Sequence, residues 1–185
     1  MPQDDEQIMN CPFCETLNID GADFCEACSQ PLTDIDPEAA NKTSLEASIE
    51  SDSLASLKPV APVTVAPTDR IGDVIRLLAD KNIGCVLVVW VDALVGIFSE
   101  RDVLLKVGTR LEEVASEPVR HFMTPAPETL TAQDTIAFGL NRMAVGDFRH
   151  IPIEENEKPV GITSVTDVLG YLTQQFPEIL SKSTS

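Results

Sequence analysis

The motifs LVGIFSERD (residues 94–102) and PVGITSVTD (residues 159–167) are two copies of one pattern in this 185-residue chain. In each copy an apolar run through Gly-Ile predicts a strand, and the Ser-x-x-Asp that follows is typical of a helix start. The copies are 65 residues apart, and the same offset aligns residues 63–107 with residues 128–172 without a gap. Self-similarity at a fixed offset indicates a duplicated supersecondary unit.

Both copies predict the element order β-α-β-β-α. A short extended piece precedes apolar residues at helical spacing, two strands joined by a turn follow, and a second helix begins at Ser99 or Ser164. One such unit of about 50 residues buries too little surface to be stable alone. We therefore expect an α+β fold in which the two copies pack with pseudo-two-fold symmetry and leave equivalent clefts between them.

The Ser-x-x-Asp pairs, Ser99 with Asp102 and Ser164 with Asp167, allow two interpretations. A capping box satisfies free N–H groups at a helix start and is worth about 1 kcal/mol. A helix start with free N–H groups, a hydroxyl and a carboxylate also suits a nucleotide, with the phosphate at the helix end and the ribose on the aspartate. The residues alone support both interpretations equally, because every helix must begin somewhere.

The repeat resembles a pair of CBS domains, the tandem called a Bateman module, through the two motifs quoted above and MTPAPETLTAQDTI at residues 123–136. The resemblance extends over residues 59–172. It implies a module that binds an adenosine-containing ligand (AMP, ADP, ATP or S-adenosylmethionine) in a cleft between the copies. It also implies a homodimer that signals to an unidentified protein partner.

The resemblance further implies which residues contact the ligand. Phosphate contacts in the family come from basic residues just before the second strand, where copy two has Arg149 and His150 and copy one has Gly84 and Cys85. Arg101 offers copy one a phosphate contact, or the small Gly84 leaves room for a flat base. We therefore predict one competent nucleotide site rather than two. The predicted nucleotide-binding residues are Ser99, Asp102, Arg101, Gly84, Thr129, Ser164, Asp167, Arg149 and His150.

Structural roles remain open for several of these residues. Cys85 lies in an apolar run and is expected to be a buried thiol. Arg149 is also suited to pairing with a surface acid, and His150 to a structural hydrogen bond. Trp90, near the predicted turn between the strands of copy one, is a candidate for an exposed interface residue.

Four of the five cysteines form two CxxC pairs, Cys11 with Cys14 and Cys25 with Cys28. Two such turns bring four thiolates to one tetrahedral Zn²⁺, and the metal then supplies the folding energy that so short a segment lacks. Two disulfides would require an oxidising compartment, and a redox CxxC would require a βαβ scaffold. We therefore predict structural zinc, and residues 11–32 resemble the double-knuckle zinc ribbons.

Residues 33–58 are rich in Ser, Asp, Glu and Ala and contain no aromatic residue. This composition predicts a flexible acidic linker with at most a transient helix. The predicted organisation is an acidic tail at 1–10, a zinc ribbon at 11–32, a disordered linker at 33–58, a first CBS domain with connecting segment at 59–122, and a second CBS domain with C-terminal tail at 123–185.

Composition excludes several functions. A net charge of -17, with no Lys or Arg before residue 33, argues against binding to a nucleic-acid backbone. No apolar run approaches the ~20 residues of a membrane helix, and the acidic N-terminus lacks the apolar core of a secretory signal, so we expect a cytoplasmic protein. The chain has only two histidines, and no catalytic set is visible.

We therefore expect a non-enzymatic regulatory protein that senses an adenine nucleotide. The alternative is a constitutive dimerisation scaffold in which the zinc ribbon and the CBS pair bind partners while the clefts stay empty.

Overall fold

The structure, a computed structural model, describes residues 8–11, 14, 16–19, 22–30, 32 and 44–177 of the chain. The chain divides into two compact units. The first, here called the sheet unit, contains residues 58–132 and 150–164. The second, the ribbon unit, contains residues 1–57, 133–149 and 165–185.

The elements follow the chain in this order. The strands are β1 (Ile8–Asn10), β2 (Leu17–Ile19), β3 (Thr64–Val65), β4 (Cys85–Trp90), β5 (Ala93–Ser99), β6 (Thr124–Pro125), β7 (His150–Glu155) and β8 (Lys158–Ser164). The α-helices are α1 (Ser44–Ser51), α2 (Ile71–Lys81), α3 (Glu100–Asp102), α4 (Leu111–Val114), α5 (Ile136–Gly146) and α6 (Val165–Gln175). No helix within the described ranges is long and apolar enough to cross a bilayer.

In the sheet unit, β3, β4, β5 and β6 form one sheet in that order. β3 is parallel to β4, and the other neighbours are antiparallel. The β7–β8 hairpin repeats this arrangement, because Leu130 bridges Ile153 in parallel on one side and Val60 bridges Ile162 in antiparallel on the other. The predicted β-α-β-β-α order is confirmed, with an isolated bridge at Leu130 in place of the first strand of copy two.

The core of the sheet unit lies between α2 and the sheet. Ile71, Val74 and Leu78 recur at helical spacing and are almost fully buried, as the apolar pattern predicts. They cluster with Val86 of β4 and Phe98 of β5. This packing sets the position of the end of β5, where the Ser-x-x-Asp motif of copy one begins.

The second helix of copy one is irregular. After α3 the chain forms a π-helical turn at Val103–Val107 and a 3₁₀ turn at Gly108–Arg110. Gly108 has φ 52 and ψ -130, which a residue with a side chain rarely adopts. Leu104 and Leu105 of the π-turn are 76% and 73% exposed. The equivalent helix of copy two, α6, is continuous over eleven residues.

The ribbon unit contains the N-terminal segment together with α5 and α6, the helices of copy two. β1 and β2 form an antiparallel hairpin, so the prediction of an acidic tail at 1–10 is wrong for residues 8–10. α5 packs against α1 and α6. Tyr171 of α6 donates a hydrogen bond to the carboxylate of Asp52, and burial together with this carboxylate raises the pKa of the tyrosine.

The prediction of a disordered linker is wrong for residues 44–57. These residues form α1 and a 3₁₀ turn at Leu54–Leu57. The backbone N–H of Leu54 donates to the carbonyl of Asp134 at 2.7 Å, and that of Ile136 donates to the carbonyl of Asp52 at 2.9 Å. The side chain of Leu54 is fully buried, so one apolar residue anchors a segment whose composition is otherwise that of a tether. Residues 33–43 lie outside the described residues.

The sheet unit contains the equivalent pair of backbone hydrogen bonds, shifted by 65 residues. There the N–H of Val119 donates to the carbonyl of Asp69 at 2.8 Å, and that of Ile71 donates to Glu117 at 2.8 Å. Val119 is the counterpart of Leu54 and is also fully buried. The duplicated unit therefore begins before residue 63, and the segment preceding each copy packs on the first helix of the other copy.

Replacing Leu54 by Ala tests whether the former linker is part of the fold. We expect Leu54→Ala to lower the free energy of unfolding by about 3 kcal/mol, because it leaves a cavity at a fully buried position. Leu105→Ala, at an exposed position, should change it by less than about 0.5 kcal/mol. Urea denaturation followed by circular dichroism measures both, and equal stability of the two variants would mean that residues 52–57 are a tether.

Candidate functional site

The four ribbon cysteines lie together in the ribbon unit. Their sulfur atoms are all within 4.8 Å of one another, with Cys11 and Cys28 at 3.6 Å and Cys14 and Cys25 at 3.5 Å. Four sulfurs at 2.3 Å from a tetrahedral zinc ion would be about 3.8 Å apart. The cluster therefore has the size and the donor set for one such ion, as the CxxC spacing predicts.

Hydrogen bonds favour the thiolate form of Cys25. Burial by itself raises the pKa of this thiol, but the backbone N–H groups of Cys28 and Ala27 and the side chains of Cys14 and Asn18 outweigh it and lower the pKa to about 6. The Asn18 amide donates to the Cys25 sulfur at 3.5 Å. Such N–H···S contacts orient a metal-ligating thiolate and stabilise its charge.

The apolar core of the ribbon includes a residue from copy two. Leu32 is buried with three of the cysteines, and Phe138 of α5 packs against this cluster together with Met9 of β1. Phe138 is also held through its backbone N–H, which donates to the Thr135 hydroxyl at the start of α5. The ribbon is thus packed on α5 within its unit and shares a hydrophobic cluster with it.

In copy one the Ser-x-x-Asp motif forms a capping box. One carboxylate oxygen of Asp102 accepts from the backbone N–H and the hydroxyl of Ser99, at 2.8 and 2.7 Å, and the N–H of Asp102 donates to the same hydroxyl at 3.4 Å. The other oxygen accepts from the Thr124 hydroxyl at 3.2 Å and pairs with the Lys106 ammonium at 2.7 Å. All four contacts of this carboxylate are internal to the sheet unit.

Sequence reasoning missed Lys106 and Thr124 as partners of Asp102. The spacing of Asp102 and Lys106, four residues apart on a helix, was a usable signal, since oppositely charged side chains at this spacing face each other. No local signal identifies Thr124, because it reaches the motif through the pairing of β6 with β5. The two partners change the interpretation of copy one, since its aspartate is already satisfied.

Gly84 and His150 are brought together in the sheet unit. A Cβ atom built on Gly84 would lie 2.6 Å from Nε2 and 2.8 Å from Cε1 of His150, and 3.8 Å from a carboxylate oxygen of Glu100. Only glycine therefore allows the imidazole to lie this close. The space beside Gly84, predicted to admit a flat base, holds the His150 ring in this structure.

Other predicted residues lie at the ends of their elements. His150 opens β7 opposite Ser164, which closes β8; in copy one Cys85 and Ser99 occupy the same positions. Thr129 donates its hydroxyl to the Glu154 carboxylate at 2.9 Å. Arg101 is exposed.

Arg149 and Asp167 belong to the ribbon unit. Arg149 is exposed and precedes β7, and its carbonyl accepts from the N–H of Val165 at 3.1 Å. Asp167 lies in the first turn of α6 and is half-buried.

Cys85 is a buried thiol, as expected, with 7% of its surface exposed. Burial, followed by the charges of Glu100 and Asp102, raises the pKa of this thiol to about 12. A cysteine with so little thiolate at neutral pH is neither a nucleophile nor a metal ligand. Its buried side chain fills space at the start of β4.

The sequence model of the CBS domain matches the chain twice, at residues 57–108 and 119–174. The CBS domain-containing protein CBSCBSPB1 of Arabidopsis thaliana is 30% identical over 105 residues, which are 57% of this chain and 19% of that protein. The chain thus spans about a fifth of the length of the curated relatives that it first matches.

Solved structures share the fold. A CBS-domain containing protein from Agrobacterium tumefaciens is 32% identical with a TM-score of 0.59, and the match covers 63% of this chain and 94% of that one. A CBS domain protein from Pyrobaculum aerophilum, solved in complex with AMP, is 24% identical with a TM-score of 0.56, covering 65% and 98%. These likenesses extend over both copies of the repeat and support the tandem arrangement.

Cys85 should resist alkylation in the folded protein. At pH 8 a thiol whose pKa is about 12 is ionised to roughly one part in ten thousand, and the thiolate is the reactive form. We expect peptide mass spectrometry to find Cys85 unmodified after iodoacetamide treatment at pH 8, and modified when urea is added. Equal modification in both conditions would mean that the side chain is accessible in the fold.

Proposed function

Because the chain belongs to the CBS domain family, we propose that it is a non-enzymatic regulatory protein that binds an adenine nucleotide through the motif of copy two and signals to a protein partner. The observation that carries this proposal is the difference between the two Ser-x-x-Asp motifs. Asp102 of copy one is engaged by internal donors. Copy two keeps the serine, as Ser164, but has Tyr171 and Pro59 at the positions of Lys106 and Thr124.

The 65-residue offset identifies the missing partners. Lys106 aligns with Tyr171, whose hydroxyl donates to Asp52 instead. Thr124 aligns with Pro59, which has no hydrogen to donate. A ribose diol at copy two therefore has no internal lysine to displace, whereas at copy one it would have to break a 2.7 Å ion pair.

The charged residues near each motif also favour copy two as the nucleotide site. Copy two places Arg149 and His150 before its second strand, and a guanidinium is a strong, always charged phosphate donor. Copy one has the uncharged Gly84 and Cys85 at the corresponding positions, so its own sequence supplies no basic residue there. We therefore assign the phosphate contacts to Arg149 and His150 and the ribose contact to Asp167, with Ser164 at the start of α6.

We assign zinc to the ribbon as a structural ion. Cys11, Cys14, Cys25 and Cys28 would hold it. The size of the cluster and its four sulfur donors support a closed tetrahedral site with no open position for catalysis. When bound, the ion would stabilise four thiolates that otherwise repel one another. The contact of the cluster with Phe138 would then extend this stabilisation to α5.

We also assign a homodimer to the CBS pair, with no contribution from nucleic acid or membrane. Leu104 and its counterpart Leu169 are 76% and 57% exposed on the second helices of the two copies. Large apolar side chains exposed at equivalent positions are suited to a self-complementary interface. Binding of an adenine nucleotide would favour one arrangement of the CBS pair, and this interface would transmit that change.

Isothermal titration calorimetry with AMP and ATP tests the nucleotide site. We expect one site per chain and about a 10- to 100-fold loss of affinity in Asp167→Asn, because hydrogen bonds to a charged group are worth about 1.5–3 kcal/mol. The matched variant Asp102→Asn should keep its affinity. Two equal sites per chain, or a larger loss in Asp102→Asn, would contradict the assignment to copy two.

If the protein is instead a constitutive scaffold, thermal unfolding in the presence of ligands gives a different result. If the CBS pair only dimerises, millimolar AMP, ADP, ATP or S-adenosylmethionine should not raise the unfolding temperature, whereas a real site stabilises the fold by mass action. Circular dichroism of each variant without ligand serves as the control for correct folding.

Native mass spectrometry tests the zinc and dimer assignments together. We expect a species of two chains with one Zn²⁺ per chain, and loss of the metal in Cys28→Ser, because three sulfurs leave a tetrahedral site incomplete. Leu104→Glu should shift the population towards monomers while the zinc content stays at one per chain. A metal-free dimer or a zinc-loaded monomer of the unmodified chain would refute one assignment and leave the other standing.

A further inference from the structure

The sheet unit contains a cavity of about 340 Å³ away from the nucleotide motifs. It is lined by Pro67, Thr68, Trp90, Val95, Arg120 and Met123. Trp90 pairs with Ala93 at the turn of the β4–β5 hairpin, whereas Ser99 pairs with Cys85 at the other end. The hairpin is about 17 Å long at this strand spacing, so the cavity is separate from the Ser-x-x-Asp motif of copy one.

The cavity is almost entirely apolar, and its walls are accessible from outside. Trp90 is 56% exposed, which is unusual for so large an apolar side chain. Met123 lies directly over Gly96, where a Cβ atom would come 2.4 Å from its sulfur. Glycine at this position of β5 therefore lets the methionine form the floor of the cavity.

Arg120 supplies positive charge at the rim. Its side chain is exposed, and the part of the chain that the structure describes offers its guanidinium no ion pair. Two carboxylates near the cavity form ion pairs with other residues, and that of Asp69 accepts from the backbone N–H of Ala66. Glu117 pairs with His121 at 3.3 Å, and Asp92 pairs with Lys158 at 3.4 Å. An exposed arginine outside any ion pair of the described residues is notable in a chain with a net charge of -17.

The duplication provides an internal comparison. At the 65-residue offset, Trp90 aligns with Glu155 and Met123 aligns with Lys58. Copy two forms the same hairpin with a charged residue in place of Trp90, and a lysine stands where copy one has Met123. The repeated fold therefore forms without an apolar pair at these positions, so folding alone does not account for the tryptophan and methionine of copy one.

We propose that this cavity is a docking site for an acidic segment of a partner protein that inserts one apolar side chain against Trp90 and Met123 and pairs a carboxylate with Arg120. Tryptophan, arginine and methionine are the residue types enriched where binding energy concentrates in protein interfaces. Three of the six lining residues are exposed, so the cavity resembles an anchor pocket for a peptide more than an enclosed site for a metabolite. The proposal goes beyond the nucleotide site and does not depend on it.

Tryptophan fluorescence tests the proposal directly, because Trp90 is the only tryptophan in the chain. The probes are three blocked hexapeptides: Asp-Glu-Leu-Phe-Asp-Glu, its Lys-Lys-Leu-Phe-Lys-Lys counterpart, and Asp-Glu-Ser-Gly-Asp-Glu. We expect a saturable blue shift of the emission only with the first peptide, since it alone combines the apolar anchor with negative charge. The affinity should fall at least about tenfold in Arg120→Glu, where attraction becomes repulsion.

Two matched variants complete the test. Arg110→Glu reverses another exposed arginine and should bind the acidic peptide as the unmodified chain does. Met123→Lys, which introduces the residue of copy two, should abolish the shift while circular dichroism shows a folded chain. The proposal is refuted if the first peptide gives no shift, if the acidic and basic peptides bind equally, or if Arg120→Glu has no effect. An Arg120-dependent shift with AMP instead of the peptide would reassign the cavity to a small molecule.

Discussion

The structure depends on backbone hydrogen bonds that each copy of the repeat receives from the segment preceding the other copy. A helix leaves its first N–H groups without partners, and here the carbonyls of Glu117 and Asp52 satisfy the first residues of α2 and α5. Buried Val119 and Leu54 hold these segments in place. Because each copy completes the other, neither is a self-sufficient domain, and residues 52–57 belong to the fold as firmly as the connecting segment between the copies.

These hydrogen bonds are the same in the two copies, whereas the surroundings of the two motifs differ. In copy one a lysine one turn after the aspartate and a threonine from β6 turn the Ser-x-x-Asp motif into a closed network of charge-assisted hydrogen bonds. In copy two the residues at these positions are tyrosine and proline, and the tyrosine bonds to Asp52. The position of Lys106 therefore stabilises the helix start in copy one, whereas its counterpart Tyr171 holds Asp52 in the segment before copy one.

The sequence predicted those features that repeat or follow a fixed spacing. The β-α-β-β-α order, the apolar face of α2, the buried Cys85 and the cysteine cluster all follow from periodicity or from CxxC spacing. The packing of residues 44–57 did not, because a single buried leucine in a polar segment carries no periodic signal. The engagement of Asp102 by Thr124 and the filling of the space beside Gly84 by His150 were also unpredictable, since both join residues distant in sequence.

The contact between the ribbon and α5 changes what the ribbon does physically. A segment of about twenty residues with four cysteines gains its stability from metal binding, and here the cluster that includes those cysteines also includes Phe138. Zinc bound as proposed would therefore also stabilise the helix that leads to Arg149. α5 also packs against α1 and α6, so the ribbon and these two helices all contact one helix. The ribbon and α1 are therefore linked to α6 through side-chain packing on α5.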